Sequence, residues 1–445
     1  MTQAQVRLPR GRLALAAAFF VQGAVFALLV TRIPAIQERY GVSDALLPVF
    51  LAAVPVVAGV GSVLAERLVR GVRPSRVLRW SQAATCLALV WVGGGQGVGQ
   101  LASALVAFGM AVGMLDAAMN MLGVSLERAY GRSIMLGFHG AYSLGGIAGA
   151  SLAWLGAHEE LSLLVLYGPV VAVLSPLTLV ASRWYVDDEK HRAAEKGGER
   201  QGDEHPGEGR LPGEGRHPGE ERHHGDERHP GEERHPGCVG AGGRAGGAVS
   251  WRLLLPLCLV MAFAYIGDST VSNWSAKYLQ DVLGSSEQLA TVPYNVYMVT
   301  TLVGRTVGDL AVRRLGAAFV VRAGSVVASL GFAGVTVAPG AWSGIAGFAV
   351  LGFGLCVIVP QTFVAAGRLF PEASEAAVAR LNVFNYVGFL VGSPLVGALG
   401  DAWDYRGAML VPLVLVLVTL ACASSFAGPG RYGGGHERPR AVDVG

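Results

Sequence analysis

Three ionisable residues, Asp116, His139 and Asp268, sit inside long apolar runs. A charge near the centre of a bilayer costs about 2.5–3.5 kcal/mol on insertion scales, so such a group faces a partner or a water-filled space. Asp116 and Asn120 are four apart in one run, and His139 and Ser143 are four apart in the next. On helices each pair shares a face. If the two runs pack side by side, Asp116 meets His139, a pairing suited to carrying a proton. The same contact would serve equally well as a lock between two helices. Asp268 stands alone in a third run, with Asn273 and Trp274 about two turns further on; Asn382, Asn385 and Tyr386 cluster in a fourth, and Gln22 is the polar residue inside the first. Taken singly, each of these reads as solute contact or as packing glue between membrane helices. Asp116, His139 and Asp268 are the candidates for moving a proton. Gln22, Asn120, Ser143, Asn273, Trp274, Asn382, Asn385 and Tyr386 are the candidates for lining a solute site.

The elements that must position them are long apolar helices, since about 20 such residues cross a bilayer. Apolar stretches lie at 13–33, 45–66, 77–95, 101–124, 135–156, 161–182, 253–275, 289–309, 317–338, 342–366, 377–399 and 407–427. That is six, a charged gap, and six more. The start, with Arg7, Arg10 and Arg12 before a full-length apolar run and no small-residue cleavage site, reads as a first membrane helix rather than a removed leader. Arginines concentrate on alternate connections: Arg67, Arg70, Arg73 and Arg76, then Arg128 and Arg132, then Arg313 and Arg314, then Arg368, and on the tail Arg431, Arg438 and Arg440, while the other connections receive Arg39, Lys277 and Arg406 and little else. By the positive-inside bias these connections, and both termini, are cytoplasmic.

The two sets of six also repeat. Gly41 and Gly284, Gly61 and Gly304, Glu66 and Asp309, and Gly109 and Gly352 are each 243 positions apart, while Tyr142 and Tyr386, and Gly156 and Gly400, are 244 apart. Six pairs at nearly one offset, in matching helices, point to a duplicated six-helix unit.

Composition agrees with a membrane chain and excludes much else. The chain is 52% hydrophobic and 15% charged, with a mean hydropathy of +0.45. Residues 184–250 hold fifteen of the 32 acids and ten of the 35 bases, which leaves the other 378 residues too apolar for the surface of a soluble fold. From His205 onward that segment cycles through HPGEER-type six-residue units with nothing apolar to bury, so a disordered linker is expected. Its histidines, such as His223 and His224, would bind metal weakly at most, and no metal site is expected elsewhere. None of the three lysines follows a glycine, so there is no P-loop. The GxGxxA string at Gly97–Ala102 has no strand before it, and neither H-E-x-x-H nor G-x-S-x-G occurs. No catalytic centre, cofactor or nucleic-acid partner is expected.

One further stretch carries a recognisable pattern. Gly304, Arg305, Gly308, Asp309, Arg313 and Arg314 read G-R-T-V-G-D-L-A-V-R-R-L-G. This resembles the loop signature between the second and third helices of each major facilitator half, G-x-x-x-D-R-x-G-R-R. The first-half copy, G-S-V-L-A-E-R-L-V-R-G, is degenerate, with Glu66 in place of the aspartate and Arg67 after it. The resemblance implies that both stretches brace the cytoplasmic gate by pairing with neighbouring helix ends and do not touch solute. A longer match over the fourth and fifth helices, with D-x-x-x-N, G-R-x-x-M and F-H-x-x-x-S-L-G in place, looks like the branch related to fucose permease and its bacterial inner-membrane relatives. W-S-A-K-Y-L at 274–279 and Y-V-G-F-L-V-G-S-P-L-V-G at 386–397 resemble the same branch. Two departures are Asp268, where many relatives carry glutamate, and Asn273, where they carry aspartate before the tryptophan.

The expected fold is therefore an all-α membrane protein of twelve transmembrane helices in two pseudo-symmetric six-helix bundles, 1–183 and 251–428, with a linker at 184–250 and a cytoplasmic tail at 429–445. The expected function is proton-coupled secondary transport of a small polar solute by alternating access. The chain would act as a monomer in the bilayer of a bacterial cytoplasmic membrane, its partners being the solute and protons. Drug or metabolite efflux by the same machine is the alternative; efflux antiporters show G-P-x-x-G-G in the fifth helix, where this chain reads S-L-G-G-I-A-G-A. A membrane sensor signalling through the His-rich linker is a rival of another class.

Overall fold

The computed structural model describes residues 3–43, 46–187, 249–290 and 292–426. Most of the 184–250 linker and the whole of the 429–445 tail lie outside the described residues, and so does the expectation that the linker is disordered. Each of the twelve apolar stretches falls on a helix. In order they are α1 (Gln3–Thr31), α2 (Leu47–Leu68), α3 (Pro74–Gly94), α4 (Val98–Tyr130), α5 (Met135–His158), α6 (Leu163–Ala181), α7 (Trp251–Lys277), α8 (Val292–Leu315), α9 (Ala317–Thr336), α10 (Ala341–Leu369), α11 (Ser374–Ala402) and α12 (Leu410–Cys422). Eight helical segments, those of α1, α4, α6, α7, α9, α10, α11 and α12, are long and apolar enough to span a bilayer by composition alone among the described residues. No strand occurs among those residues. This is an all-α membrane protein.

Local chemistry sets the boundaries. Pro74 stands at the first turn of α3, where its missing N–H leaves no helical bond unmade. Ser162 caps α6 by accepting from the Val165 N–H at 3.4 Å. α4 stops at Gly131, which takes the left-handed conformation at φ 63° and closes bonds to Glu127 and Arg128 carbonyls. Inside α10 the regular helix is interrupted at Cys356 and Val357.

Packing follows the duplication. In the first half α5 lies along α1, and α4 packs on α2 and α3; six helices later α11 lies along α7, and α10 packs on α8 and α9. The halves meet in two reciprocal contacts, α2 with α11 and α5 with α8. Large apolar side chains such as Leu13, Val173, Leu330 and Trp154 are exposed on the outside, a surface that suits lipid and would be unfavourable in water. α1 begins, and α2, α4, α8 and α10 end, at the arginine-bearing side of the bundle, hereafter the Arg-rich end.

Candidate functional site

Asp116 sits half-buried on α4 and draws together three helices from both halves. The Gln22 amide of α1 donates to its Oδ1, and the Tyr386 hydroxyl of α11 donates to its Oδ2. Both donors are neutral. Asn120, one turn along, spends its amide N–H on the Asp116 carbonyl at 2.9 Å. The expected pairing of Asp116 with His139 is not formed. α4 and α5, though consecutive in sequence, scarcely touch: α4 packs on α2 and α3 while α5 packs on α1, which aims His139 elsewhere. Its ring lies against Phe19 of α1 at 5.3 Å and stacks on Phe363 of α10 at 6.3 Å. Its backbone carbonyl takes a bond from Arg305 of α8 at 3.3 Å.

Asp268 on α7 is the second carboxylate, and it belongs to the second half. It accepts from the Tyr297 hydroxyl of α8 at 2.5 Å. Arg305 lies within electrostatic reach of Asp268, while its NH1 donates to Ser143 Oγ across the halves at 2.5 Å. Tyr142 of α5 and Tyr265 of α7 stand within electrostatic reach of both Asp116 and Asp268. The centre thus gathers two carboxylates, one guanidinium and a ring of tyrosine hydroxyls.

The other candidates divide. Asn273 is exposed and bonds its own helix at the Ser269 carbonyl, 2.9 Å away. Trp274 donates its indole N–H to the Ser393 carbonyl of α11 at 3.0 Å. Asn382, fully buried, donates to Ser62 of α2 at 2.9 Å and does not join the central cluster; Asn385 is 7% exposed.

At the Arg-rich end the halves are latched at two matching points. Asp309, in the last two turns of α8, accepts three bonds from the segment that opens α5: Ser133 Oγ at 2.7 Å, Leu136 N at 3.2 Å and Gly137 N at 2.9 Å. A carboxylate at a helix N-terminus satisfies orphan N–H groups and complements the helix dipole. Arg313 adds bonds of 3.0 and 2.6 Å to the Ser133 carbonyl. The mate of Asp309 is Glu66 on α2, held by Arg380 of α11 through both carboxylate oxygens at 2.9–3.3 Å, with Arg70 at 3.5 Å on its flank. Glu127 extends the latch: it caps α5 at Ile134 N and Met135 N, each at 2.9 Å, and meets Arg368 of α10 at 3.3 Å. Arg128 reaches the Gly367 carbonyl at 2.9 Å. Arg67, by contrast, is exposed. Gly304 and Gly308 are buried on α8.

Two glycines make this closure possible. A methyl on Gly308 would stand 2.3 Å from Leu136 Cδ2, and one on Gly367 would stand 2.2 Å from Val124 Cγ1, in each case across the two halves. The substitutions Gly308→Val and Gly367→Val are therefore expected to hold the Arg-rich end ajar. Accessibility of a cysteine introduced at Ile134, which is fully buried beside the latch, should rise in both; unchanged accessibility would mean the neighbours simply move aside.

Tyr297, Arg380, Glu127 and Arg368 were absent from the sequence candidates. One signal pointed to Arg380: it falls inside the apolar run at 377–399, where a charge needs a partner. Among the described residues no group of histidine, cysteine and acidic side chains is placed to hold a metal ion.

With this arrangement in view, relatives are informative. The family model described as Major Facilitator Superfamily matches residues 257–441. An uncharacterized MFS-type transporter of Yersinia pestis is 29% identical over 416 residues, covering 91% of this chain and 93% of the relative. The membrane protein MosC of Rhizobium meliloti is 25% identical over 427 residues, 94% of this chain and 91% of the relative. The crystal structure of the MFS transporter FucP in its outward conformation superposes with a TM-score of 0.70 at 13% identity, over 94% of this chain and 98% of FucP. Residues 257–441 thus match the major facilitator superfamily model, and over nearly its whole length the chain is similar to MFS-type transporters. The human organic anion transporter MFSD10 shares the fold equally well, with a TM-score of 0.70 at 11% identity over 95% of this chain and all of its own. The chain is a multi-pass membrane transporter with bacterial relatives, and the similarity to those relatives, unlike the family-model match, extends over both halves.

Proposed function

We propose that this transporter couples the movement of a small polar solute to protons, with Asp116 as the proton carrier and the Arg-rich end as the cytoplasmic gate. One observation carries the reading: Asp116, from the first half, is hydrogen-bonded by Tyr386 from the second. Loading a proton on that carboxylate removes an acceptor from a bond between the halves. Protonation and the relative position of the halves are then coupled free energies. Charge counting supports it as well. The two carboxylates Asp116 and Asp268 are gathered with one guanidinium, Arg305, which lies within reach of Asp268, so one bound proton brings their summed charge to neutrality in surroundings of low dielectric. The resemblance in fold to a protein described as a fucose:proton symporter is consistent with this chemistry, at 13% identity and a TM-score of 0.62.

In this state the Arg-rich end is closed by the Asp309 and Glu66 contacts, while Ser272, Asn273 and Tyr294 near the opposite end are exposed. With the positive-inside orientation, solute would enter from outside and leave through the latch. A thermal-shift screen of sugars, amino acids and antibiotics should find one class that raises the melting temperature, since a ligand stabilises the state it binds. A proton gradient should then drive accumulation of that class in proteoliposomes. Deleting residues 196–247 is expected to leave accumulation at the full-length rate; silence of the deleted chain would favour a linker-driven sensor.

A further inference from the structure

Helix α11 makes three polar contacts with the first half, one below another. Tyr386 donates to Asp116 on α4, Asn382 donates to Ser62 on α2 at 2.9 Å, and Arg380 holds Glu66 on α2 at 2.9 Å. Ser62 and Glu66 are one helical turn apart, as are Asn382 and Tyr386, so the contacts form a ladder from the central carboxylate to the latch carboxylate. Between its ends the polar groups are buried but incompletely bonded. Asn382 is fully buried and Asn120, one turn from Asp116, is 2% exposed, yet Asn382 Oδ1 and Asn120 Oδ1 have no protein partner. A buried amide oxygen left without a donor is costly, and such an atom is commonly satisfied by bound water. Both open atoms are neutral carbonyl acceptors, which suits water or hydronium. Arg305 bonds to α5 on the opposite flank of the interface, so the cations on the ladder are Arg380 and Arg70 at its far end, beside Glu66.

We propose that this ladder is a hydrated proton route from Asp116 to Glu66. It rests on the reading of Asp116 as the proton carrier. The proton leaves the Asp116 carboxyl for an adjacent water, passes between waters held by Asn120 and Asn382, and forms an O–H bond on Glu66, leaving Asp116 as a carboxylate. No other species is consumed. Glu66 faces Arg380 of α11 and Arg70 of the turn just after α2, and Arg380 in turn lies over the Trp251 ring at 5.4 Å. Asp116 faces Gln22 and Tyr386, with Tyr142 and Tyr265 within electrostatic reach. Once Glu66 is neutral its attraction to Arg380 is lost, so the proton that leaves the centre also loosens the latch.

The test is proton movement into proteoliposomes under an imposed potassium diffusion potential, with the solute selected by thermal shift present, read by entrapped pyranine. It is paired with counterflow of the solute selected by thermal shift, which needs no net proton transfer. Asn382→Leu should cut proton movement at least tenfold and leave counterflow at the wild-type rate. Asn382→Ser, which keeps a polar group and leaves room for water, should restore proton movement. Ser62→Ala, a milder change in the same rung, should lie between Asn382→Leu and wild type. Equal proton movement in Asn382→Leu and wild type overturns the route alone. A parallel loss of proton movement and counterflow also overturns it, by assigning Asn382 a structural role. Absence of proton movement in the wild type overturns the route and the proton coupling beneath it.

Discussion

Asp116→Asn is expected to abolish proton-driven accumulation while solute counterflow continues at a reduced rate. The amide is nearly isosteric and can still accept through its oxygen, so the bond to either Gln22 or Tyr386 survives in part. What disappears is the titratable group. The transporter then resembles wild type locked in one protonation state, able to exchange solute across the bilayer but with nothing to tie that exchange to a gradient. Leaving one donor unmatched costs on the order of 1–3 kcal/mol, which the variant pays in stability and in the reduced counterflow rate. Asp268→Asn provides the comparison. Its carboxylate bonds within the second half, to Tyr297, and so has no direct bond to break between halves. If Asp116→Asn still concentrates solute at the normal rate, Asp116 is helix glue and Asp268 becomes the better carrier.

The second large effect is expected at the latch. Asp309→Asn should shift the resting population away from closure of the Arg-rich end more strongly than Glu66→Gln. Asp309 accepts two backbone N–H groups and a hydroxyl at the start of α5; an amide keeps one oxygen, and its NH2 would face the donors Leu136 N or Gly137 N. Bonds to a charged acceptor are worth about 1.5–3 kcal/mol each. Losing one therefore amounts to roughly tenfold or more in the closed-to-open ratio. Glu66 is bridged by a flexible, partly exposed arginine, and an amide oxygen can still take one bond from Arg380, so the loss is smaller. Distance measurements between spin labels on α2 and α11 at the Arg-rich end would read both variants. Identical distributions in Asp309→Asn and wild type would remove the latch from the mechanism.

The twelve helices were legible in the sequence because each apolar run is long enough to span a bilayer and the arginines between them alternate. The reciprocity of the two halves was also foreshadowed, at Glu66 and Asp309, by their constant offset. Partners were harder. Asp116 was picked out by the cost of its burial, but its hydrogen-bond donors lie 94 and 270 residues away, on helices that periodicity alone cannot place beside α4. The His139 expectation failed for the same reason, since order along the chain was used as a guide to order in space. Arg305 resembled part of a loop signature, yet it stands one turn inside that signature, against Ser143 and within reach of Asp268. The Glu66–Arg380 bridge spans 314 residues and belongs to no local motif. Helix faces can be read from spacing, whereas neighbours between helices are set by packing of both halves together.

The central claim is that solute movement is tied to protons through a carboxylate held between the halves. Its most direct measurement is uptake of the thermally stabilising solute into proteoliposomes across an imposed pH gradient, with and without a protonophore. The account predicts uptake above the equilibrium level that collapses on protonophore addition and is missing in Asp116→Asn. Uptake that never exceeds equilibrium, or that is indifferent to the gradient and to the protonophore, would contradict it.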